Sequence, residues 1–153
     1  MITVLIVCEH NSARSQIAEA YLKKYGAGKF AAESAGLEAG ALNPLVVEAL
    51  FEEGIDISKN ETRSVLSLYQ QERQYDIIIT VCAPEVSMRC PIFPGKALRL
   101  SWPFPDPARL SGEPEDIMAD LRVIRNQIKY KIIEFVAEYN EIGLSIFVEQ
   151  AES

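Results

Sequence analysis

Val4-Leu5-Ile6-Val7-Cys8-Glu9-His10-Asn11-Ser12-Ala13-Arg14-Ser15-Gln16-Ile17-Ala18-Glu19-Ala20 is the stretch whose reading decides the fold. A short apolar, β-branched run ends in a cysteine. An arginine and a serine follow a few residues later, and then a good helix-forming segment. The pattern reads as a strand, a tight loop and a helix N-terminus. Such a loop can aim several backbone N–H groups at one point, and the helix adds its positive dipole end. Glu9, His10, Asn11, Ser12, Ala13 and Arg14 are therefore expected to form an oxyanion cradle. A cysteine at its edge is expected to be held as thiolate, since N–H dipoles and an arginine favour the charged form.

Working outward, residues 2–8 are apolar throughout, the pattern of a strand buried on both faces of a helix-covered parallel sheet. A first helix is expected from Ser12 or Ala13 to Tyr25, with Gly26 and Gly28 ending it. Phe30 to Ser34 reads as a second strand. Asn43-Pro44 reads as a cap followed by proline at the first helical position, with a helix over 44–53 stopping at Gly54. Ile55 to Ser58 reads as a short extended piece, Val65 to Gln70 as a helical turn or two, and Tyr75 to Val81 as a third strand. The segment from Ala83 to Pro94 is expected to be irregular or only partly helical. Ala97 to Ser101 is the fourth strand. Pro103, Pro105 and Pro107 stiffen a loop around Asp106. From Glu115 to Tyr139 apolar residues recur at helical spacing, an amphipathic helix packing on the sheet.

Strands alternating with helices predict an α/β three-layer sandwich with a four-stranded parallel sheet. Ligands of such sheets bind beyond the strand C-termini. Cys8 and Cys82 each end a strand and Asp106 follows one, so all three fall on that edge.

The chain has 153 residues, one domain's worth, with 48% hydrophobic and 24% charged residues, an ordinary globular composition. Residues 1–139 are expected to be a single catalytic domain, and 140–153, including Ser145-Ile146-Phe147-Val148, a C-terminal extension. With 22 acidic against 15 basic residues the net charge is −7, and no basic stripe points to nucleic acid. An anion site must then be locally positive, which is feasible because distant surface charge is screened within about 8–10 Å. Residues 2–7 are too short and lack the basic leader of a signal peptide, and no stretch approaches a membrane span. A cytoplasmic monomer without a membrane partner is expected. Three cysteines then argue against a structural disulfide framework. One histidine and scattered acids show no metal-ligand spacing, so neither metal nor cofactor is expected.

The nucleophile's neighbours have alternative readings. Arg14 offers a planar fork to two anion oxygens, or a surface ion pair. Ser15 can hydrogen-bond the Cys8 thiolate or cap the helix. Asn11 can brace the loop or simply tolerate a left-handed backbone angle. Asp106 is the candidate general acid, or a turn aspartate beside proline. His10 is read as a loop residue that tunes the pocket, not as a base.

Cys8 and the Arg14-Ser15 pair, spaced in this way, resemble the phosphate loop of the low-molecular-weight tyrosine phosphatase superfamily. More closely, the chain resembles that superfamily's thioredoxin-coupled arsenate reductases. The resemblance is carried by Asn11 to Gln16 with Ala18-Glu19, Glu33-Ser34-Ala35-Gly36, Asn43-Pro44, Gly54 to Ser58, Ile79 to Cys82, Cys90-Pro91 and Trp102 to Pro107, and it covers residues 2–138. It implies arsenate as substrate, with phosphate or sulfate able to occupy the site, Asp106 as the acid, and thioredoxin or a similar thiol as reductant. In such an enzyme Cys8 forms a thiol–arsenate adduct. Cys82 attacks the Cys8 sulfur, releasing arsenite, and Cys90 then attacks Cys82, passing the disulfide outward. As(V) accepts two electrons where phosphate does not, so a three-cysteine relay means reduction, not ester hydrolysis. The alternative is a low-molecular-weight phosphatase working through a Cys8 phosphocysteine, with Cys82 and Cys90 incidental or protecting Cys8 from oxidation. A non-catalytic oxyanion sensor is a third reading. Some relatives have one residue fewer between the two later cysteines, and many carry a cysteine where this chain has Ala13. Relatives that bind potassium use positions matching Asn11, Glu19 and Ser34; here a cationic Arg63 is expected to take the ion's place.

Overall fold

A computed structural model describes residues 1–91 and 93–142. Strand β1 (Ile2–Cys8) is followed by helix α1 (Arg14–Tyr25), β2 (Phe30–Gly36), α2 (Pro44–Phe51), α3 (Val65–Gln70), β3 (Ile77–Thr80), the four-residue α4 (Pro84–Ser87), β4 (Leu98–Ser101) and the long α5 (Pro114–Ile142). The strands form one sheet in the order β2-β1-β3-β4, and every pairing is parallel. The three-layer α/β reading is correct, and the sheet is four-stranded.

Strand β1 is central, which explains its unbroken apolar sequence. Val4 and Ile6 face one side with Ile77 and Ile79, against Ile17 and Tyr21 of α1 and Leu121, Ile128 and Ile132 of α5. Leu5, Val7 and Ile78 face the other side, against Val65 and Leu68 of α3. These sheet residues are at most 1% exposed. Each such side chain contributes about 1.5–3 kcal/mol on burial, so both layers hold β1 in place.

The local signals work as their chemistry dictates. The Asn43 side chain accepts the Leu45 N–H at 2.9 Å and Pro44 opens α2. Ser64 caps α3 by accepting the Ser67 N–H. The C-terminal end of α2 is pinned to α5: Arg125 donates to the Ala49 carbonyl at 2.8 Å and to Glu52, Arg122 pairs with Glu52, and Lys129 with Glu53.

Differences from the sequence reading lie at element ends. Strand β2 runs on to Gly36 because its full length pairs with β1, and β3 is shorter than the apolar run that contains it. Ile55 to Ser58, read as a short extended piece, joins no strand, and Ile57 is held there by core burial. Helix α5 continues past Tyr139 to Ile142; the rest of the expected extension, including Ser145 to Val148, lies outside the described residues.

Candidate active site

The loop between β1 and α1 is shaped by where its carbonyls go. The oxygens of Cys8, Glu9 and His10 accept the N–H groups of Leu37, Glu38 and Gly40. Those of Asn11, Ser12 and Ala13 accept from the Gln16 side chain, the Asn43 N–H and the Ile17 N–H. Six consecutive carbonyls are thus drawn outward. A loop so arranged turns its amide side inward, which makes an anion nest. The Asn11 N–H points to the Cys8 sulfur at 3.2 Å. Gly36 makes this approach of chains possible: a Cβ there would lie 2.5 Å from the Asn11 nitrogen and 2.6 Å from the His10 carbonyl carbon.

Asn11 sits at φ 56, and its side chain also braces the loop, so both of its readings hold. Its Oδ1 accepts the Arg63 backbone N–H at 3.0 Å. A backbone amide can only donate, so the orientation of the side-chain amide is settled. Its Nδ2 donates to Ser15 Oγ at 2.8 Å and to Ser34 Oγ at 2.9 Å. Ser15 Oγ, already an acceptor, has its single proton free for Cys8 Sγ, 2.9 Å away. The cap reading of Ser15 fails: Ala13 occupies the N-cap with no side-chain bond, and Ser15 lies inside the first turn.

Ser34 passes its own proton to Glu19 at 2.7 Å, and Lys23 neutralises Glu19 at 2.7 Å. The expectation for Arg63 is corrected here. Its guanidinium goes to Glu33, not to Glu19. Glu33 and Ser34 are neighbours on β2 and so face opposite sides of the sheet, which puts Arg63 on the wrong side. Lys23 was missed, although its four-residue spacing from Glu19 was visible.

Arg14 is 7% exposed. Its Nη1 donates to the Phe104 carbonyl at 3.0 Å, and its Nη2 lies 3.8 Å from Asp106 Oδ2. The proline-rich loop after β4 therefore orients the anion-binding fork. Asp106 Oδ1 accepts the Ala108 N–H, starting a 3₁₀ turn over Pro107–Arg109, so the turn role is real as well. Glu9, Arg14, Cys82, Phe104, Asp106 and Arg109 line one cleft of roughly 440 Å³. His10 projects outward, half exposed, between the Glu9 and Glu38 carboxylates. Ser12 and Ala13 contribute backbone to the loop.

The three cysteines are free and buried. Cys82, 1% exposed, borders the cleft. Burial pushes its thiol up, opposed by the nearby Arg14 and reinforced by Cys8. Cys90 is not brought to the cleft. It packs with Leu5, Val65, Leu68, Ile78 and Phe93 in the core layer on the α3 side of the sheet, while Cys8 packs in the other. Burial pushes the Cys90 thiol up too, and Arg99 opposes this.

The chain belongs to the low molecular weight phosphotyrosine protein phosphatase family, whose model it matches over residues 3–142. Within that family its similarity runs to reductases. It is 36% identical over 132 residues to an arsenate reductase of Bacillus subtilis, covering 86% of this chain and 93% of that one. It is 32% identical over 135 residues to a glutaredoxin arsenate reductase of Synechocystis, covering 88% and 96%. A solved structure of an arsenate reductase in an oxidised state superposes with TM-score 0.74 at 29% identity, covering 90% of this chain and 98% of that one.

Two outcomes follow from this geometry. Gly36→Ala is expected to push the loop off its backing and cost about 1–3 kcal/mol by overpacking. It should also abolish phosphate protection of Cys8 against iodoacetamide, and retained protection would contradict the packing account. The second concerns pH. The folded thiols of Cys82 and Cys90 ionise later than unfolded ones. Their contribution is complete below the ordinary thiol range, near pH 8.5, and is lost as pH rises above it, by at most about 1.4 kcal/mol per unit per thiol. Urea midpoints should fall between neutral and mildly alkaline pH, and fall less in a Cys82→Ala/Cys90→Ala variant.

Proposed function

We propose that this protein is an arsenate reductase that uses Cys8, Cys82 and Cys90 in turn. Arsenate sits in the amide nest with two oxygens on the Arg14 fork. The Cys8 thiolate, favoured by the Ser15 hydroxyl and the Asn11 N–H, attacks arsenic. Asp106, across the cleft, gives its proton to the departing oxygen, so that water and not hydroxide leaves. A Cys8–S–As(V) adduct results.

Cys82 then attacks the Cys8 sulfur. The S–S bond forms, the S–As bond breaks, and its electron pair stays on arsenic, which leaves as arsenite. Both electrons come from the two thiols, so no cofactor takes part. Cys90 next attacks Cys82, freeing Cys8 as thiolate and leaving a Cys82–Cys90 disulfide for the reductant. That last bridge needs Cα atoms within about 7 Å, so the segment between the cysteines must rearrange. Helix α4 has four residues and Met88 beyond it is 85% exposed, so little packing opposes such a change.

The observation that carries this reading is a second thiol, Cys82, on the same cleft as Arg14 and Asp106. Phosphate ester hydrolysis through a phosphocysteine needs only Cys8. The reductant is thioredoxin or a similar dithiol protein; the name of the Synechocystis relative makes glutaredoxin the rival. Among the described residues no helix is long and apolar enough to cross a membrane. A monomer in the reducing cytoplasm fits a relay that must be reset by a thiol partner.

The decisive measurement is arsenite release under recycling by thioredoxin or by glutaredoxin. Cys82→Ser is expected to cut it by roughly 100-fold or more, because an intramolecular nucleophile is lost. Undiminished arsenite release would end the relay, and aryl phosphate turnover with no arsenite would make the protein a phosphatase. Asp106→Asn should slow adduct formation by about 10²–10⁴-fold in single-turnover assays, while arsenate still binds.

A further inference from the structure

We propose that Arg99 is a positioning residue for the last exchange: it holds the Pro91 carbonyl beside the Cys90 sulfur and takes that sulfur into the same guanidinium fork when Cys90 becomes the nucleophile, once the segment between the two cysteines has rearranged to bring Cys82 to it. The inference rests on the relay proposed above and adds to it a residue outside the oxyanion site.

The geometry converges on a single carbonyl. Arg99 Nη2 donates to Pro91 O at 3.0 Å, and the Cys90 thiol reaches the same oxygen at 3.6 Å. Arg99 lies on β4 opposite Ile78 of β3. Residues in register share a face, so Arg99 projects on the α3 side of the sheet, where Cys90 packs. The strand is at the sheet edge, so the guanidinium keeps its charge in water while its fork reaches inward.

The chemistry gives that charge a task. A buried thiol is a poor nucleophile, because only the thiolate attacks and burial disfavours it. The elements around Cys90 supply Leu5 and Val7 from β1, Val65 and Leu68 from α3, and Ile78 from β3, all uncharged. Tyr75 is the titratable group in that layer. Its hydroxyl is bonded to Glu33, which in turn pairs with Arg63 and Arg73. Arg89 borders a neighbouring groove with Pro91. Against the sulfur itself the charge that favours ionisation is Arg99, whose guanidinium is held one carbonyl away by its bond to Pro91 O.

When Cys90 ionises, its proton passes to water and its bond to Pro91 O is lost. Arg99 has five donors and can hold the carbonyl and the thiolate together. The thiolate then attacks the Cys82 sulfur. The Cys82–Cys90 bond forms, the Cys8–Cys82 bond breaks, and the electron pair departs on Cys8 as thiolate.

The test follows disulfides by acid quench and mass mapping after one arsenate turnover. In Arg99→Gln the Cys8–Cys82 species should accumulate, and Cys82–Cys90 formation at pH 7 should slow by about tenfold, its pH profile moving to higher pH. Arg99→Lys should restore most of the rate and the profile, which a merely structural role would not predict. A second readout needs no arsenate. In a Cys8→Ser/Cys82→Ser background, the pH profile of Cys90 alkylation by iodoacetamide should move upward with Arg99→Gln and return with Arg99→Lys. Absence of arsenite from the parent would sink the reductase reading and leave this second readout intact. Arg99→Gln with the parental alkylation profile would overturn the role of Arg99.

Discussion

The side-chain amide of Asn11 is the constraint on which the rest of the site depends. Its oxygen is tied to the backbone of Arg63, and its nitrogen to Ser15 on α1 and Ser34 on β2. One residue thus joins the loop, the helix, a strand and the segment before α3. The Arg63 bond sets which end of the amide donates, and from that the directions of its bonds to Ser15 and Ser34 follow. Ser34 points to Glu19, and Ser15 is left to serve the Cys8 sulfur. The left-handed backbone at Asn11 turns the loop so that its own N–H meets that sulfur. An aspartate here would carry no amide protons, and a larger side chain would not fit beside buried Ser15 and Ser34.

This local order explains how a chain of net charge −7 can present an anion site. The amide nest, the start of α1 and Arg14 act within a few ångströms, whereas distant surface charge is screened over roughly 8–10 Å in salt. Asp106 is held beside Arg14 by a turn that begins on its own side chain. Glu19, buried behind the loop, is neutralised by Lys23 before it can oppose the anion. Every buried side-chain nitrogen and oxygen among the described residues has a hydrogen-bond partner, so the polar core of the site is closed.

The cysteines are distributed across the sheet, and that distribution separates the steps. Cys82 lines the cleft and Cys8 sits at the start of the loop beside it, in the core layer under α1 and α5, while Cys90 lies in the core layer beside α3. Burial pushes both later thiols up and so disfavours their thiolates. Cys82 has Arg14 to counter its burial, and Cys90 has Arg99. Each later thiol is therefore paired with its own arginine.

The periodicities of the chain were sufficient for the sheet, its parallel sense, the helices and the edge on which Cys8, Cys82 and Asp106 meet. Those follow from local patterns: buried strands must be apolar on both faces, and ligands collect at strand C-termini. The same patterns could not show that Ile57, in the short piece from Ile55 to Ser58, is buried in the core, since that burial comes from tertiary packing. Arg63 and Lys23 show a further boundary. Which cation meets Glu19 depends on the face of β2 from which each side chain approaches. The placement of Cys90 across the sheet from the cleft, and of Arg99 beside it, was likewise decided by tertiary packing. Such contacts join residues distant in the chain through strand register and layer order, quantities that no local run of residues encodes.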